Sequence, residues 1–239
     1  MRREIYRVLR APQLSSIVIP FRHSSFDAGL DLYRARTISA LDQIKTLSDV
    51  WTAPPSSIGA GRLNGVGEPL LYTASNAMTA AFEIQAQPGN LVAMTQFRTA
   101  SRVLALDLAA DITVKGLTMA EQKKLSMIMS FLEGIFSQAN PTNNGSRYIA
   151  PDLIAKEIFN PFPDLFTGWR YKAIADTRGL PWTVNLALKS VPAKDLLEHV
   201  RTDIVEIDPN DGINGRHRII VSLILAPNRV DLVSPDAGN

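Results

Sequence analysis

The feature that most limits the fold is the order in which periodicities follow one another. Short stretches of alternating polarity interleave with helical stretches, but without a regular strand–helix–strand rhythm. A doubly wound parallel sheet needs that rhythm, so the pattern favours a mixed α+β fold. The stretch 30–36 (LDLYRAR) alternates like a half-buried strand. Ile38–Trp51 reads as a short helix ended by Pro54-Pro55, and 54–68 as a Pro-, Ser- and Gly-rich loop. Pro69–Thr73 is a short apolar strand. Ser75 or Asn76 can cap a helix running to about Ala86, where Pro88-Gly89 stops it. Leu91–Phe97 and Val103–Leu108 read as strands. Thr118–Gln138 is the strongest helical stretch, with Leu125, Ile128, Met129, Leu132, Ile135 and Phe136 on one face; that face is core, not a cofactor box. After a polar turn at Asn140–Tyr148, Pro151 opens a helix to about Phe159. Trp169–Ile174, Trp182–Leu188, Ile204–Ile207 and Arg218–Leu225 are the remaining expected strands.

Length allows one domain with additions or two small ones, since the chain has 239 residues. With 46% hydrophobic residues it can bury a large core without disulfides. The absence of cysteine excludes disulfides, thiol catalysis and thiolate metal sites, and fits a reducing compartment. A formal net charge of +2 argues against direct nucleic-acid binding. The basic start MRREIYRVLR lacks the apolar stretch a secretory signal needs, and the longest apolar run, Ile219–Ala226, is too short to span a membrane. A cytoplasmic protein without a membrane partner is the expectation.

Several motifs are weak on spacing alone. The loop GAGRLNGVG at 59–67 could cradle phosphate with backbone amides, but it lacks the Lys-Ser/Thr of a P-loop. Asn64 also stands where a dinucleotide fingerprint starting at Gly59 would place its third glycine. His23, His199 and His217 show no metal-ligand spacing, so no metal site is expected. Arg216-His217-Arg218 reads as a solvated strand edge, and no serine sits in a nucleophile elbow. Glu83 lies on a helix whose Ala77, Ala80 and Ala81 permit close packing. Its carboxylate is either solvent-facing, the commoner case, or buried for a purpose; the residues alone leave both open.

The segment GRLNGVGEPLLYTASNAMTAAFEI at 61–84 resembles the RES domain: a Gly-Arg-apolar-Asn stretch, a glycine, an apolar strand ending in Tyr, and an Ala-rich helix carrying Glu. The matching residues are Gly61, Arg62, Asn64, Gly67, Tyr72, Ala80 and Glu83. LYRAR at 32–36 looks like the first motif of that family, with Arg34 as its arginine. QFRTASRVLALDL at 96–108, IAPDLIAKEIF at 149–159, TGWRYKA and NLAL follow in family order. The resemblance implies an ADP-ribosyltransferase-like fold, a split β core with surrounding helices around an NAD cleft. It covers residues 30–190, with 1–29 as an N-terminal arm and 191–239 as a C-terminal extension packed on the same domain.

The implied activity is that of a toxin from a toxin–antitoxin pair, which degrades NAD by phosphorolysis or hydrolysis at the nicotinamide–ribose bond. NAD is then a substrate, no resident cofactor is required, and an antitoxin or immunity protein is the implied partner. A protein ADP-ribosyltransferase and a catalytically degenerate NAD- or partner-binding module are the alternatives. In such chemistry positive charge develops on the ribose carbon. Glu83 would stabilise it or orient the nucleophile. Arg34 and Arg62 would grip the pyrophosphate with their guanidinium forks. Tyr72 would stack on nicotinamide, Asn64 and Gly67 would shape the loop under the phosphates, and Tyr171 is counted with the substrate-binding residues. The family's Gly-x-x-Tyr-x-Ser stretch is here Gly168-Trp169-Arg170-Tyr171-Lys172-Ala173, so Ala173 stands at the serine position. The loss of that hydroxyl implies reduced or absent activity; one transition-state donor is worth about 10²–10³ in rate.

Overall fold

Ten strands build one sheet in the computed structural model, which describes residues 22–108, 115–137, 164–172, 184–208, 217–226 and 229–233. They are β1 (Arg22–Phe26), β2 (Asp31–Ile38), β3 (Leu70–Ala74), β4 (Leu91–Thr99), β5 (Val103–Asp107), β6 (Gly168–Lys172), β7 (Val184–Lys189), β8 (Leu197–Ile207), β9 (His217–Ala226) and β10 (Arg229–Val233). The sheet order is β1-β5-β6-β7-β3-β2-β4-β8-β9-β10. Every neighbouring pair is antiparallel except β5–β6. Helices accompany this mixed sheet, so the α+β class read from the sequence holds.

The sheet has a seam. β2 pairs with β4 from Asp31↔Arg98 to Ile38↔Leu91, and β3 pairs with β7 along its whole length. Yet β2 meets β3 only at Tyr33↔Ala74. Two half-sheets therefore part here, leaving backbone and side chains of β2 and β3 to border a gap rather than a ladder.

Packing differs on the two sides. Leu32 and Phe97 from one half-sheet share a buried cluster with Leu71, Leu186 and Leu188 from the other, joined by Trp51, Ala193 and Leu197. That cluster bridges the seam. Strand residues alternate across the sheet, so Tyr72, Tyr171, Trp169 and Ala187 belong to a different cluster, on the opposite face. There α3 (Met119–Ser137) packs through Ile128 and Met129, and Leu125 on the same helix is fully buried. Its start is fixed by a reciprocal pair of bonds: Thr118 N–H donates to Glu121 Oε2 and Glu121 N–H to Thr118 Oγ1.

The stretch Ile38–Trp51 departs from its helical expectation. β2 runs through Ile38, a 3₁₀ turn follows at Leu41–Gln43, and only α1 (Leu47–Val50) is helical. Ile38, Ile44 and Val50 do share one buried cluster, but they reach it from the end of β2, the residue after the 3₁₀ turn and α1. Thr46 and Asp49 form the capping box that delays the helix start. The expected arm also differs in part, because Arg22–Phe26 pairs residue for residue with β5 as an edge strand. At the other end, β8 adds to β4 from Leu91↔Glu206 to Thr99↔Leu197, placing it in the second half-sheet, and α4 (Ser190–Leu196) leads into it. The expected turn at Asn140–Tyr148 and helix to Phe159 lie outside the described residues, as does Ala173. No helix among the described residues is long and apolar enough to cross a membrane.

Candidate active site

The seam is bordered by α2 (Ala77–Glu83), whose start is capped by the Asn76 side chain accepting from Thr79 N–H at 2.8 Å. Ala77, Ala80 and Ala81 pack against Ala35, Ala74, Val92 and Met94, and such small side chains let the helix lie close over β2, β3 and β4. The last helical residue, Glu83, consequently stands at the gap. Between the half-sheets lies a small cavity of about 60 Å³, whose lining includes Arg34, Tyr72, Glu83 and Tyr171 together with Tyr33 and Ala74. That is room for no more than a few waters, since one needs at least ~10–15 Å³.

Arg62 reaches Glu83 from the loop before β3. Its Nη1 donates to Glu83 Oε2 at 3.2 Å, with the two side chains only 11% and 15% exposed. The Arg62 guanidinium carbon also lies 5.8 Å from the centre of the Tyr171 ring, a cation–π contact. Tyr171 meets Tyr72 edge to face, with ring centres 6.2 Å apart. Burial, and after it the nearby Glu83 carboxylate, push the Tyr171 phenol well above its ordinary range, so it remains a neutral donor.

Tyr72 holds the loop in place. Its hydroxyl donates to Asn64 Oδ1 at 2.8 Å and accepts from Leu63 N–H at 3.1 Å. Asn64, 4% exposed, donates through Nδ2 to the carbonyls of Gly59 and Gly65, both at 2.9 Å. The Asn64 amide is thus bonded at both ends, through Nδ2 within its own loop and through Oδ1 to Tyr72 on β3. Gly61 passes so close that a Cβ there would overlap Asn64 Oδ1 and stand 3.0 Å from the Tyr72 hydroxyl. Gly67 takes a left-handed φ of 77°. The loop is therefore a rigid hydrogen-bonded knot that fixes Arg62. Tyr72→Phe is expected to cost about 1–2 kcal/mol, because Asn64 Oδ1 and Leu63 N–H lose their partner in a half-buried setting. Urea unfolding of the two proteins measures it.

Arg34 is placed differently from Arg62. It borders the same cavity, but no carboxylate among the described residues pairs with it, and its Nε is buried without a hydrogen-bond partner. Burial, reinforced by the neighbouring Arg36 charge, lowers its pKa to about 10, so the guanidinium is still charged at neutral pH. A buried cation with no counter-charge is costly, and an anion relieves that cost.

Arg34, Arg62, Tyr72, Glu83 and Tyr171 are thus gathered around one gap, Asn64 and Gly67 lie in the loop behind it, and the position of Ala173 lies outside the described residues. Two residues escaped the sequence reading. Tyr33 borders the cavity beside Arg34. Asn185 is fully buried on β7, directly opposite Ala74 and Tyr171, and neither its Nδ2 nor its Oδ1 has a partner among the described residues. Its signal in the sequence is a lone amide opening the apolar strand NLAL. No family model matches the chain, and no curated protein or solved structure matches it either.

Proposed function

We propose that this chain is a RES-type toxin that cleaves NAD at the nicotinamide–ribose bond and is held in check by an antitoxin or immunity protein. The observation that supports it most is the convergence at the seam of Arg34, Arg62, Tyr72 and Glu83, the residues singled out by the motif. An ADP-ribosyltransferase-like core is expected to part in this way.

In this reading the pyrophosphate answers the unpaired charge of Arg34. Arg62 leaves Glu83 to take a second phosphate oxygen, which widens the 60 Å³ gap. The nicotinamide ring lies against Tyr72 and Tyr171. The C1′–N bond breaks with its electron pair going to nicotinamide, which leaves as a neutral amide. Glu83 stabilises the positive ribose carbon until a phosphate or water oxygen bonds to it and gives up its proton to the carboxylate or solvent. Ala173 supplies no hydroxyl to this sequence, so turnover is slow.

Incubating the purified protein with NAD, with and without phosphate, tests the proposal. Nicotinamide is expected to appear as NAD is lost, and Ala173→Ser to accelerate it by about 10²–10³. Dependence on phosphate identifies the nucleophile. Intact NAD with both proteins overturns the proposal, and label from NAD fixed on a protein reassigns the acceptor.

A further inference from the structure

On the face of the sheet opposite Tyr72 and Tyr171 lies a larger cavity of about 360 Å³, between α1 and the α4–β8 junction. Its volume is that of small-molecule pockets, which are mainly apolar with a few polar groups that fix orientation. Leu47, Trp51 and Leu197 supply the apolar wall, and Lys194 and His199 stand in the same lining. No carboxylate is among the described lining residues, whose one formal charge is the positive one of Lys194.

Two rings in this wall are fixed in advance. Trp51 meets the fully buried Phe97 edge to face at 5.0 Å, and His199 meets the same ring at 6.1 Å. His199 Nε2 lies 2.9 Å from Thr202 Oγ1, which in turn lies 3.1 Å from Thr95 Oγ1. What these contacts leave over is polar: the indole Nε1 of Trp51, a residue only 6% exposed, and Nδ1 of His199 have no hydrogen-bond partner among the described residues. An indole N–H can only donate. Orphaned buried donors are rare in native proteins, and here two residues of one cavity wall each carry a buried, unsatisfied ring nitrogen just behind it.

We infer that this cavity is a second ligand site, separate from the seam, for a small planar aromatic carboxylate. The ring stacks among Leu47, Trp51 and Leu197, while the carboxylate accepts from Trp51 Nε1–H after a small shift of the indole and faces Lys194 at the rim. His199 donates through Nδ1 when Thr202 donates to its Nε2. Nothing in this inference depends on NAD cleavage at the seam.

The test uses benzoate as probe and benzyl alcohol as its uncharged counterpart, read by the indole N–H signals of the ¹⁵N-labelled protein. Trp51→Phe assigns the Trp51 signal. Benzoate is expected to shift that signal saturably, benzyl alcohol far less, and the exposed Lys194→Ala to weaken benzoate binding about twofold to fivefold. Trp51→Phe, which keeps an aromatic ring, is expected to weaken it roughly fivefold or more, read on the backbone signals of Leu197 and His199. No shift of the Trp51 signal at about 10 mM benzoate overturns the site. Equal response to both probes, or indifference to Lys194→Ala, overturns its assignment to an anion.

Discussion

Gly168→Ala is expected to unfold the protein at room temperature or to remove about 4 kcal/mol or more of its stability. Gly168 opens β6, between its partners Ala105 on β5 and Leu188 on β7. A Cβ built on it would overlap the carbonyl oxygen of Ala187 and stand 2.9 Å from Leu188 Cα and 3.0 Å from Ala187 C. All three are backbone atoms of a neighbouring strand, which cannot rotate aside as a side chain can. Relief requires β6 to leave β7, and with it the buried Trp169 and Tyr171 to leave the cluster under α3. Overpacking costs about 1–3 kcal/mol where side chains can adjust, and more where they cannot. A domain of this kind has about 5–15 kcal/mol in total. Gly134→Ala is the control: it lies in α3 with open space around its Cβ, and helix propensity predicts a gain of about 0.5–1 kcal/mol. Thermal unfolding of the two variants beside the parent decides. A Gly168→Ala protein that melts with the parent means that β6 and β7 are not packed as described.

Local signals were legible and long-range ones were not. β2, β3 and α2 follow from features within a few residues: alternation at 30–36, an apolar run to Thr73, and the Asn76 cap. α3 is legible for the same reason, through its apolar face. β8 was half missed because Leu197–Asp203 is too polar to read as a strand. Two of its polar side chains, Thr202 and Asp203, are buried, and they find partners on other strands in Thr95 and Ser222. α4 was missed because Pro192 suggests a break, although proline is tolerated in a first turn, where its missing N–H has no helical partner. The seam itself has no local signature: it is a matter of which strands fail to pair. The site divides in the same way. Arg62, Tyr72 and Glu83 lie within one continuous motif, whereas Asn185 stands out only once it is seen to be buried without a partner.

Under the proposed NAD cleavage the largest effect on chemistry is expected at Glu83, where Glu83→Gln should lower NAD turnover by about 10³ or more while leaving a folded protein. Glutamine keeps the size of the side chain and an oxygen to accept from Arg62, but not the negative charge that the developing ribose cation needs. The competing explanation is structural, since Arg62 and Glu83 are both largely buried and removing Glu83 takes the carboxylate away from Arg62. Breaking such a pair costs about 3–5 kcal/mol, whereas replacing both members by apolar groups of similar volume is often neutral. The comparison is therefore Glu83→Gln, Glu83→Met and the double variant Arg62→Met with Glu83→Met, each measured for melting temperature and for nicotinamide release in the Ala173→Ser background. A catalytic carboxylate predicts that the double variant regains the stability lost by Glu83→Met and stays inactive, and that Glu83→Gln is inactive at near-parental melting temperature. If turnover instead follows melting temperature through all three, the carboxylate serves only to hold Arg62, and the positive ribose carbon must be stabilised by another group at the seam.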